Sequence, residues 1–490
     1  MKFDRNQLLT LSRKILDGIM DENNHESFTS RDGHHYMYNW DWFQGVALFG
    51  IYRCWRETGE QAAFDYLIKW FDEHIERGLP GKNVNSMSPC LTLSFLWEHT
   101  GNEKYLEICR EWAEYAMYKL PRTTEGGIQH VTIDSDNYQQ LWDDTLYMTV
   151  LFLSRMGRLL KKDEYVQESA KQFLVHVKYL SDLKTGLFFH GWSFESNDHF
   201  AGALWGRGNA WYTAGLVDYL DLAEIPACVR DFLVSALDRQ TEALERYQDA
   251  DGFWHTLIDH MEDSYAESSA TAGFAYGIMK AARLGYIPAS RMEMGRRGLA
   301  AVLSQIDEKG IVHGVSAGTC LRGSLDYYRG IRLSAQPYGQ SMALLAITEA
   351  LSQEGSDTVK KRIIGGINYG SHLCRPAAEG FPSGAGAQQA PPDGSVLAAV
   401  SAASAADHHH VHLALHSPLR RTHRLQGLFL QSRHSRQPMV WTGSLQVVFL
   451  APQLLRHTLE HDSHFPLLVC HVPLRDYLRA DDQRTDQPRL

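Results

Sequence analysis

The stretch DTLYMTVLFLSRMG, residues 144–157, decides the fold class. Its apolar side chains cover nearly the whole circumference of a helix, which indicates a helix that is buried on both sides. The stretch YLEICREWAEYAMYKL, residues 105–120, differs, because Leu106, Cys109 and Trp112 form a single apolar stripe opposite a polar face. Such a helix is half-exposed. The two kinds of segment together predict helical hairpins, each with one buried and one outer helix.

This plan recurs six times along the chain. The buried helices are predicted to begin near Gln44, Ser88, Asp144, Gly208, Thr271 and Tyr338. Their spacings of 44, 56, 64, 63 and 67 residues each suit one hairpin and a loop. Six such units predict an all-α protein with an (α/α)6 barrel, because a closed ring buries both ends of the array. An open solenoid and an irregular helical globule are the alternatives.

The composition of the chain changes abruptly after Lys361. The final 129 residues contain no lysine, yet they hold 12 of the 24 histidines. Stretches of Ala, Gly, Ser and Pro alternate there with Arg/His/Leu runs that show no sustained helical period, and such composition seldom supports a packed core. We therefore predict a barrel domain over residues 1–355. Residues 356–490 are predicted to be a low-complexity tail, disordered or non-native in sequence, without a function of its own.

Charge and motifs exclude several classes of protein. The net charge is −10 and the pI is about 6.2, whereas nucleic-acid binders usually carry a basic face. No run of about 18 apolar residues is present, so no membrane span is expected. Dinucleotide-binding, phosphate-loop and HExxH motifs are missing, so we expect neither a cofactor nor a metal. Oligomeric state stays open.

The cysteines and the N-terminal residues indicate a cytoplasmic protein. Seven cysteines are scattered along the chain, odd in number and without a CxxC pair, which fits reduced thiols. The opening residues MKFDRN lack the apolar segment of a secretory signal.

Four loops share a pattern of Gly, a large apolar residue and His. They are GGIQH, GLFFHGW, DGFWHT and GIVHGVS, and they carry His130, His190, His255 and His313. In a helical toroid the loops that lead into inner helices lie on one rim. The pattern therefore predicts a polar pocket with aromatic walls, although a single histidine of this kind is more often structural.

Polar residues at the starts of the inner helices are candidates for chemistry. Asp143 and Asp144 are adjacent, and because only one can cap the helix well, the other is free to face the pocket. Arg207 is a candidate for a two-pronged contact with a substrate carboxylate, with a salt bridge to an acidic neighbour as the alternative. Trp192 and Trp211 are either core residues or a floor for sugar rings.

Several of these segments carry a family resemblance, which extends in order from about Trp40 to about Ser352. The segments are QLWDDTLYMTVLFLSRMG, TGLFFHGW, ALWGRGNAW, ESSATAGFAYGIMKAARLGY and PYGQSMALLAITE. They resemble the unsaturated rhamnogalacturonyl hydrolases, glycoside hydrolase family 105, which are related to the unsaturated glucuronyl hydrolases of family 88. The resemblance implies an (α/α)6 barrel, no cofactor, and pectin-derived oligosaccharides that end in a 4,5-unsaturated uronic acid.

The resemblance also implies a mechanism in which the C4=C5 double bond is hydrated and the resulting hemiketal opens. It makes Asp144 the general acid and base. The residues it implies for substrate binding, together with the neighbouring candidates, are Asn85, His130, Asp143, His190, Trp192, Arg207 and Trp211. Many relatives have an aspartate where this chain has Asn85. Either one carboxylate suffices, which we favour, or Asp143 assists, or activity is reduced.

Three other functions remain open from the sequence. The first is an unsaturated glucuronyl hydrolase that acts on other lyase products. The second is a sugar 2-epimerase, which uses paired histidines on the same kind of toroid. The third is a sugar-binding protein without catalysis, since a toroid hosts many activities.

Overall fold

The computed structural model describes residues 1–21 and 37–354, and four short strands between residues 402 and 472. Its helices are α1 (Arg5–Met20), α2 (Trp42–Thr58), α3 (Gln61–Arg77), α4 (Ser88–Thr100), α5 (Glu103–Tyr118), α6 (Leu151–Leu160), α7 (Asp163–Leu180), α8 (Gly206–Leu222), α9 (Ala227–Arg246), α10 (Ser268–Leu284), α11 (Met292–Leu303), α12 (Leu325–Arg329) and α13 (Pro337–Glu354). Single turns precede α4 (Asn85–Met87, 3₁₀), α6 (Leu146–Val150, π) and α11 (Ala289–Arg291, 3₁₀).

Six of these helices form a closed inner ring. In order around the ring, α2 packs against α4, then α6, α8, α10 and α13 follow, and α13 packs against α2 again. The outer helices α3, α5, α7, α9 and α11 each pack against the inner helix that precedes them. Contact between α13 and α2 excludes the open solenoid. The structure thus confirms the predicted (α/α)6 barrel, with each inner helix close to its expected start.

The sixth outer position is filled from the N-terminal end of the chain. Our repeat scheme placed an outer helix after every inner helix, but α1 packs against α13 instead. Leu8, Ile15 and Leu16 of α1 are fully buried. The Arg5 guanidinium donates a hydrogen bond to the carbonyl oxygen of Leu351 at 3.1 Å. The ring is therefore closed by both ends of the described barrel.

Glycines end several inner helices where the sequence shows its short turns. Gly59 after α2 and Gly285 after α10 both adopt the left-handed conformation at φ +75°, which side chains other than glycine adopt at a cost. Their backbone N–H groups donate hydrogen bonds to carbonyl oxygens in the last turn of each helix. This geometry reverses the chain quickly, so each outer helix packs directly against its inner helix.

A short two-stranded ladder lies at the rim of the barrel. Strand β1 (Gln140–Trp142) pairs antiparallel with β2 (Gly191–Ser193), and Trp142 lies opposite Gly191. The ladder joins the loop before the third inner helix to the loop before the fourth. Our all-helical prediction did not contain this feature.

The last part of the chain forms a separate unit. The chain divides into Met1–Gly370 and Ser371–Leu490. In the second unit, β3 (Ala402–Ala405) pairs with β4 (His408–Val411), and β5 (Leu445–Val447) pairs with β6 (Cys470–Val472). Most of residues 356–490 lie outside the described residues, so the predicted tail and its boundary stay predictions.

Among the helices of the described residues, none combines the length and the apolar character that crossing a membrane requires.

Candidate active site

Two adjacent aspartates lie where β1 leads into the third inner helix. The backbone N–H of Asp143 donates to the carbonyl oxygen of His190 at 3.0 Å, which extends the β1–β2 ladder by one residue. The π-helical turn then begins at Leu146. Turns of this kind are frequent at functional sites. Asp143 is 1% exposed and Asp144 is 8% exposed, so both carboxyl groups lie in a nearly dry environment.

Asp144 lies beside His190. The Nε2 atom of His190 is 3.3 Å from Oδ2 of Asp144, a close polar contact without the alignment of a regular hydrogen bond. Burial opposes ionisation of Asp144. The nearby His190 and His130 rings outweigh that effect and hold the pKa of Asp144 below its ordinary value. Asp144 is therefore ionised at neutral pH.

The pKa of Asp143 is shifted in the opposite direction. Neither of its carboxyl oxygens has an aligned hydrogen bond from a described residue. Burial, and then the charge of Asp144, raise the pKa of Asp143 well above its ordinary value. A side chain at position 208 would overlap its Oδ2 atom, so Gly208 is required for the carboxyl group to lie against α8. Of the two aspartates, Asp143 therefore keeps its proton to the higher pH.

His190 is enclosed by aromatic rings. Its ring centroid lies 4.2 Å from that of Trp205 and 5.4 Å from that of Trp142. Its Nδ1 atom is 2.8 Å from the hydroxyl oxygen of Tyr328, which is fully buried. Burial lowers the pKa of His190, so the ring is neutral at neutral pH.

His130 also contacts Trp142. Its ring stacks on Trp142 with centroids 4.3 Å apart, and its Nδ1 atom is 2.9 Å from the hydroxyl of Thr145. Burial lowers the pKa of His130 to about 4. A further buried histidine, His176, contacts the carbonyl oxygen of Trp142 at 3.1 Å. Both the ring and the backbone of Trp142 are thus held by histidines.

Arg207 makes the salt bridge that we gave as its alternative role. Its Nη1 atom is 3.6 Å from Oε1 of Glu267, and both residues are buried. Both terminal nitrogens already donate to protein oxygens, among them Ser316 and Thr319. A two-pronged contact with a substrate carboxylate therefore requires the loop at 316–319 to release the guanidinium.

The two candidate tryptophans lie in different surroundings. Trp211 is fully buried, with its ring 4.8 Å from that of Tyr147 and 6.2 Å from that of Trp42. Trp192 packs among the rings of Tyr179, Phe194 and His199 on the side of α7. This placement favours the core alternative for Trp192.

Asn85 begins the turn before α4, beside the aspartate helix. The neighbouring Val84 accepts a hydrogen bond from the hydroxyl of Thr149 at 2.9 Å, and its N–H donates to Val131 at 3.0 Å. The side chain of Asn85 is half-buried. Its position next to the third inner helix fits the predicted contact with a sugar.

Two of the four loop histidines contact acidic residues of their own loops. The Nε2 atom of His255 is 3.2 Å from Asp249, and that of His313 is 2.8 Å from Asp307. His130 and His190 instead both contact Trp142. For His255 and His313, the expectation that four histidines line one pocket stays a prediction.

Sequence reasoning missed two residues of this region. Tyr328 lies 138 residues after its partner His190 and in no repeated motif, so the sequence contained no signal for it. Trp42 could have been found from the sequence, because it lies at the start of the first inner helix, as Asp144 lies near the start of the third. Trp42 is half-buried and stacks on Tyr338 with centroids 4.7 Å apart.

One group of described residues has the spacing of a metal site. Ligand atoms of Asp143, Asp144 and His190 lie within 4.8 Å of one another. The predicted absence of a metal remains to be tested.

The family assignment follows from comparison with known proteins. The model of Glycosyl Hydrolase Family 88 matches residues 11–353, which include the whole barrel apart from its extreme ends. The chain belongs to glycosyl hydrolase family 88. This assignment confirms that it is an enzyme of the glycoside hydrolase class.

Three similar proteins support the membership of family 88. The unsaturated rhamnogalacturonyl hydrolase YesR of Bacillus subtilis (strain 168) is 36% identical over 316 residues, which cover 64% of this chain and 90% of YesR. A solved structure from Klebsiella pneumoniae, described as a possible member of the GH105 family, is 41% identical with a TM-score of 0.68, covering 72% of this chain and 94% of its own. A Salmonella enterica structure of the same description is 42% identical with a TM-score of 0.68, covering 72% and 95%.

Proposed function

We propose that this family 88 enzyme releases 4,5-unsaturated galacturonic acid from the non-reducing end of rhamnogalacturonan-derived oligosaccharides. Its similarity to an unsaturated rhamnogalacturonyl hydrolase over nearly all of that protein supports the substrate class. The observation that carries the chemistry is the buried aspartate pair, whose surroundings raise the pKa of Asp143 and lower that of Asp144.

The reaction needs one group that both donates and accepts a proton. Hydration of the C4=C5 bond adds a proton at C4 and the oxygen of water at C5, and the water gives up one proton. The hemiketal formed at C5 then opens and expels the remaining sugar chain. One water molecule is consumed in total, and the carboxyl group that gave the proton receives one back.

We assign the reacting carboxyl group to Asp144, which is the more exposed of the two aspartates. A substrate carboxylate in this dry pocket repels the charge of Asp144 and raises its pKa. The proton of Asp143 then moves to Asp144, which donates it to C4 of the substrate. Asp143 thus supplies the proton that Asp144 donates. This is the assisting role of Asp143 that we considered because Asn85 stands where many relatives have an aspartate.

The remaining site residues provide walls and orientation. His130 and His190 both contact Trp142, and His190 lies next to Asp144. Trp42, which is half-buried and packs against the buried Trp211, offers aromatic surface near the inner-helix starts, where a sugar ring can stack. We further place the reaction in the cytoplasm. The five cysteines between residues 1 and 354 are all free thiols, which suits a reducing compartment.

The decisive experiment follows the ultraviolet absorbance of the conjugated double bond. Lyase-digested rhamnogalacturonan is incubated with the full chain, and steady loss of absorbance is expected. In heavy water, deuterium should appear at C4 of the released sugar. Persistent absorbance, with interconversion of saturated sugars, would instead support the epimerase. A faster reaction with lyase-digested glycosaminoglycans would assign the enzyme to unsaturated glucuronyl substrates.

A further inference from the structure

Tyr328 reaches the active site from outside the inner ring. It lies on the short helix α12, and its hydroxyl oxygen is 2.8 Å from Nδ1 of His190. The tyrosine is fully buried, and its ring meets that of His190 edge-on with centroids 5.7 Å apart. A polar contact this deep in a protein has a defined donor and a defined acceptor.

The direction of this hydrogen bond follows from the other side of the imidazole ring. The Nε2 atom of His190 faces Oδ2 of Asp144 at 3.3 Å. If Nδ1 carried the proton, the lone pair of Nε2 would point at an ionised carboxylate, which is repulsive. The favourable arrangement has the proton on Nε2, so Nδ1 is an acceptor and the hydroxyl of Tyr328 donates to it. Burial raises the pKa of Tyr328, which keeps its hydroxyl protonated as a donor.

We propose that Tyr328 is a positioning residue that fixes His190 in the tautomer with its proton on Nε2. An N–H group then always faces Asp144 and stabilises its negative charge. The catalytic consequence rests on the proposed function, whereas the tautomer itself is a property of the free protein. The role is assigned to the hydroxyl group, since the ring of a phenylalanine would fill the same space.

Several contacts fix the position of α12, the helix that carries Tyr328. The hydroxyl of Ser324 accepts a hydrogen bond from the N–H of Asp326 and caps α12. The carbonyl oxygen of Tyr328 accepts a hydrogen bond from the hydroxyl of Tyr265 at 3.2 Å. Arg329 forms an ion pair with Asp263 at 2.8 Å. These contacts hold α12 against the loop before α10, so the phenol approaches His190 in one orientation.

Tyr327 provides a matched control. It is the preceding residue on α12, and its hydroxyl accepts a hydrogen bond from the N–H of Cys320 rather than contacting His190. Tyr328→Phe and Tyr327→Phe each delete one hydroxyl from the same helix. Thermal unfolding of both variants should show that the barrel stays folded.

The first test reads the tautomer directly and needs no substrate. Long-range ¹H–¹⁵N spectra of ¹⁵N-histidine-labelled protein distinguish the two tautomers, and His190→Gln assigns the resonance of His190. We expect the Nε2-protonated pattern in the unmodified protein and in Tyr327→Phe, and a mixed or altered pattern in Tyr328→Phe. A proton on Nδ1 in the unmodified protein, or an unchanged pattern in Tyr328→Phe, would overturn the proposal.

The second test asks whether Tyr328 acts through His190. Tyr328→Phe should lower kcat by about 10–100-fold with a smaller change in KM, the range typical for removal of a group that orients a functional histidine. In the His190→Gln background the same change should cost almost nothing further. Equal losses in both backgrounds would show that Tyr328 acts independently. If the unmodified enzyme fails to consume unsaturated uronides, the proposed function fails, and the spectra still decide the tautomer.

Discussion

The four loops that share Gly, a large apolar residue and His differ in what their histidines contact. His130 and His190 are buried, both contact Trp142, and they contact the aspartate pair or its helix. His255 and His313 pair with carboxylates of their own loops. The difference teaches that the shared pattern specifies a kind of loop. The candidate site lies where another element, the β1–β2 ladder, joins two of these loops.

The largest expected effect distinguishes Asp144, which lies beside His190, from Asp249, which lies beside His255. Asp144→Asn keeps the size of the side chain but removes its titratable proton, so kcat should fall by about 10²–10⁴ with folding intact. Asp249→Asn, which alters the partner of His255, is the matched control and should retain nearly full activity. Steady-state kinetics on the unsaturated oligosaccharide measure both. Near-normal turnover by Asp144→Asn would remove the basis for assigning it as the reacting group.

The next effect concerns the stored proton. Because the pKa of Asp143 is raised, its proton is kept to a higher pH than that of an ordinary aspartate and is lost as pH rises through that raised value. The kcat/KM of the unmodified enzyme should therefore decline on the alkaline side. Asp143→Asn should lower kcat by about 10² and abolish this decline.

The charged and titratable groups that face Asp143 are Asp144 and Arg207, with His190 beside Asp144. Asp307→Asn, in the loop of His313, controls for loss of a carboxylate elsewhere on a histidine loop. The pH dependence of kcat/KM compares the variants. An alkaline decline that persists unchanged in Asp143→Asn would assign the titration to another group.

A smaller effect is expected when the histidines themselves are exchanged. His190→Gln keeps a polar side chain but cannot reproduce both contacts of the imidazole, so kcat should fall by about 10–100-fold. His255→Gln, in a loop of the same pattern, should leave kcat nearly unchanged and lower the melting temperature slightly at most. Kinetics and thermal unfolding of the two variants test this. Equal kinetic losses would mean that both pairs belong to one site.

The last prediction is that removal of metal ions does not change the activity. Asp143, Asp144 and His190 have the spacing of a metal site, but the proposed reaction uses the two aspartates to carry a proton and needs no metal ion. Prolonged dialysis against a chelator should therefore leave activity unchanged, and added divalent cations should not raise it. Loss of activity on chelation, restored by one metal, would replace the proton-sharing pair with a metal centre.

Much of the fold was predictable because the burial of a helix determines how its apolar residues are spaced along the sequence. Inner helices such as residues 144–157 are apolar all round since they pack on both sides, and outer helices carry one stripe. The position of α1 was not predictable from the repeats, since a helix that closes a ring packs against a distant partner. The ladder at Trp142 and Gly191 was missed because three-residue strands are too short to show a period.

The sequence by itself determined the barrel, the family and the presence of two adjacent aspartates at an inner-helix start. Only the tertiary structure decided which aspartate holds the proton. Adjacent residues of one type have the same intrinsic pKa, and the difference between Asp143 and Asp144 comes from their surroundings. His190, 46 positions further along the chain than Asp144, lowers the pKa of one, whereas deeper burial against α8 raises that of the other.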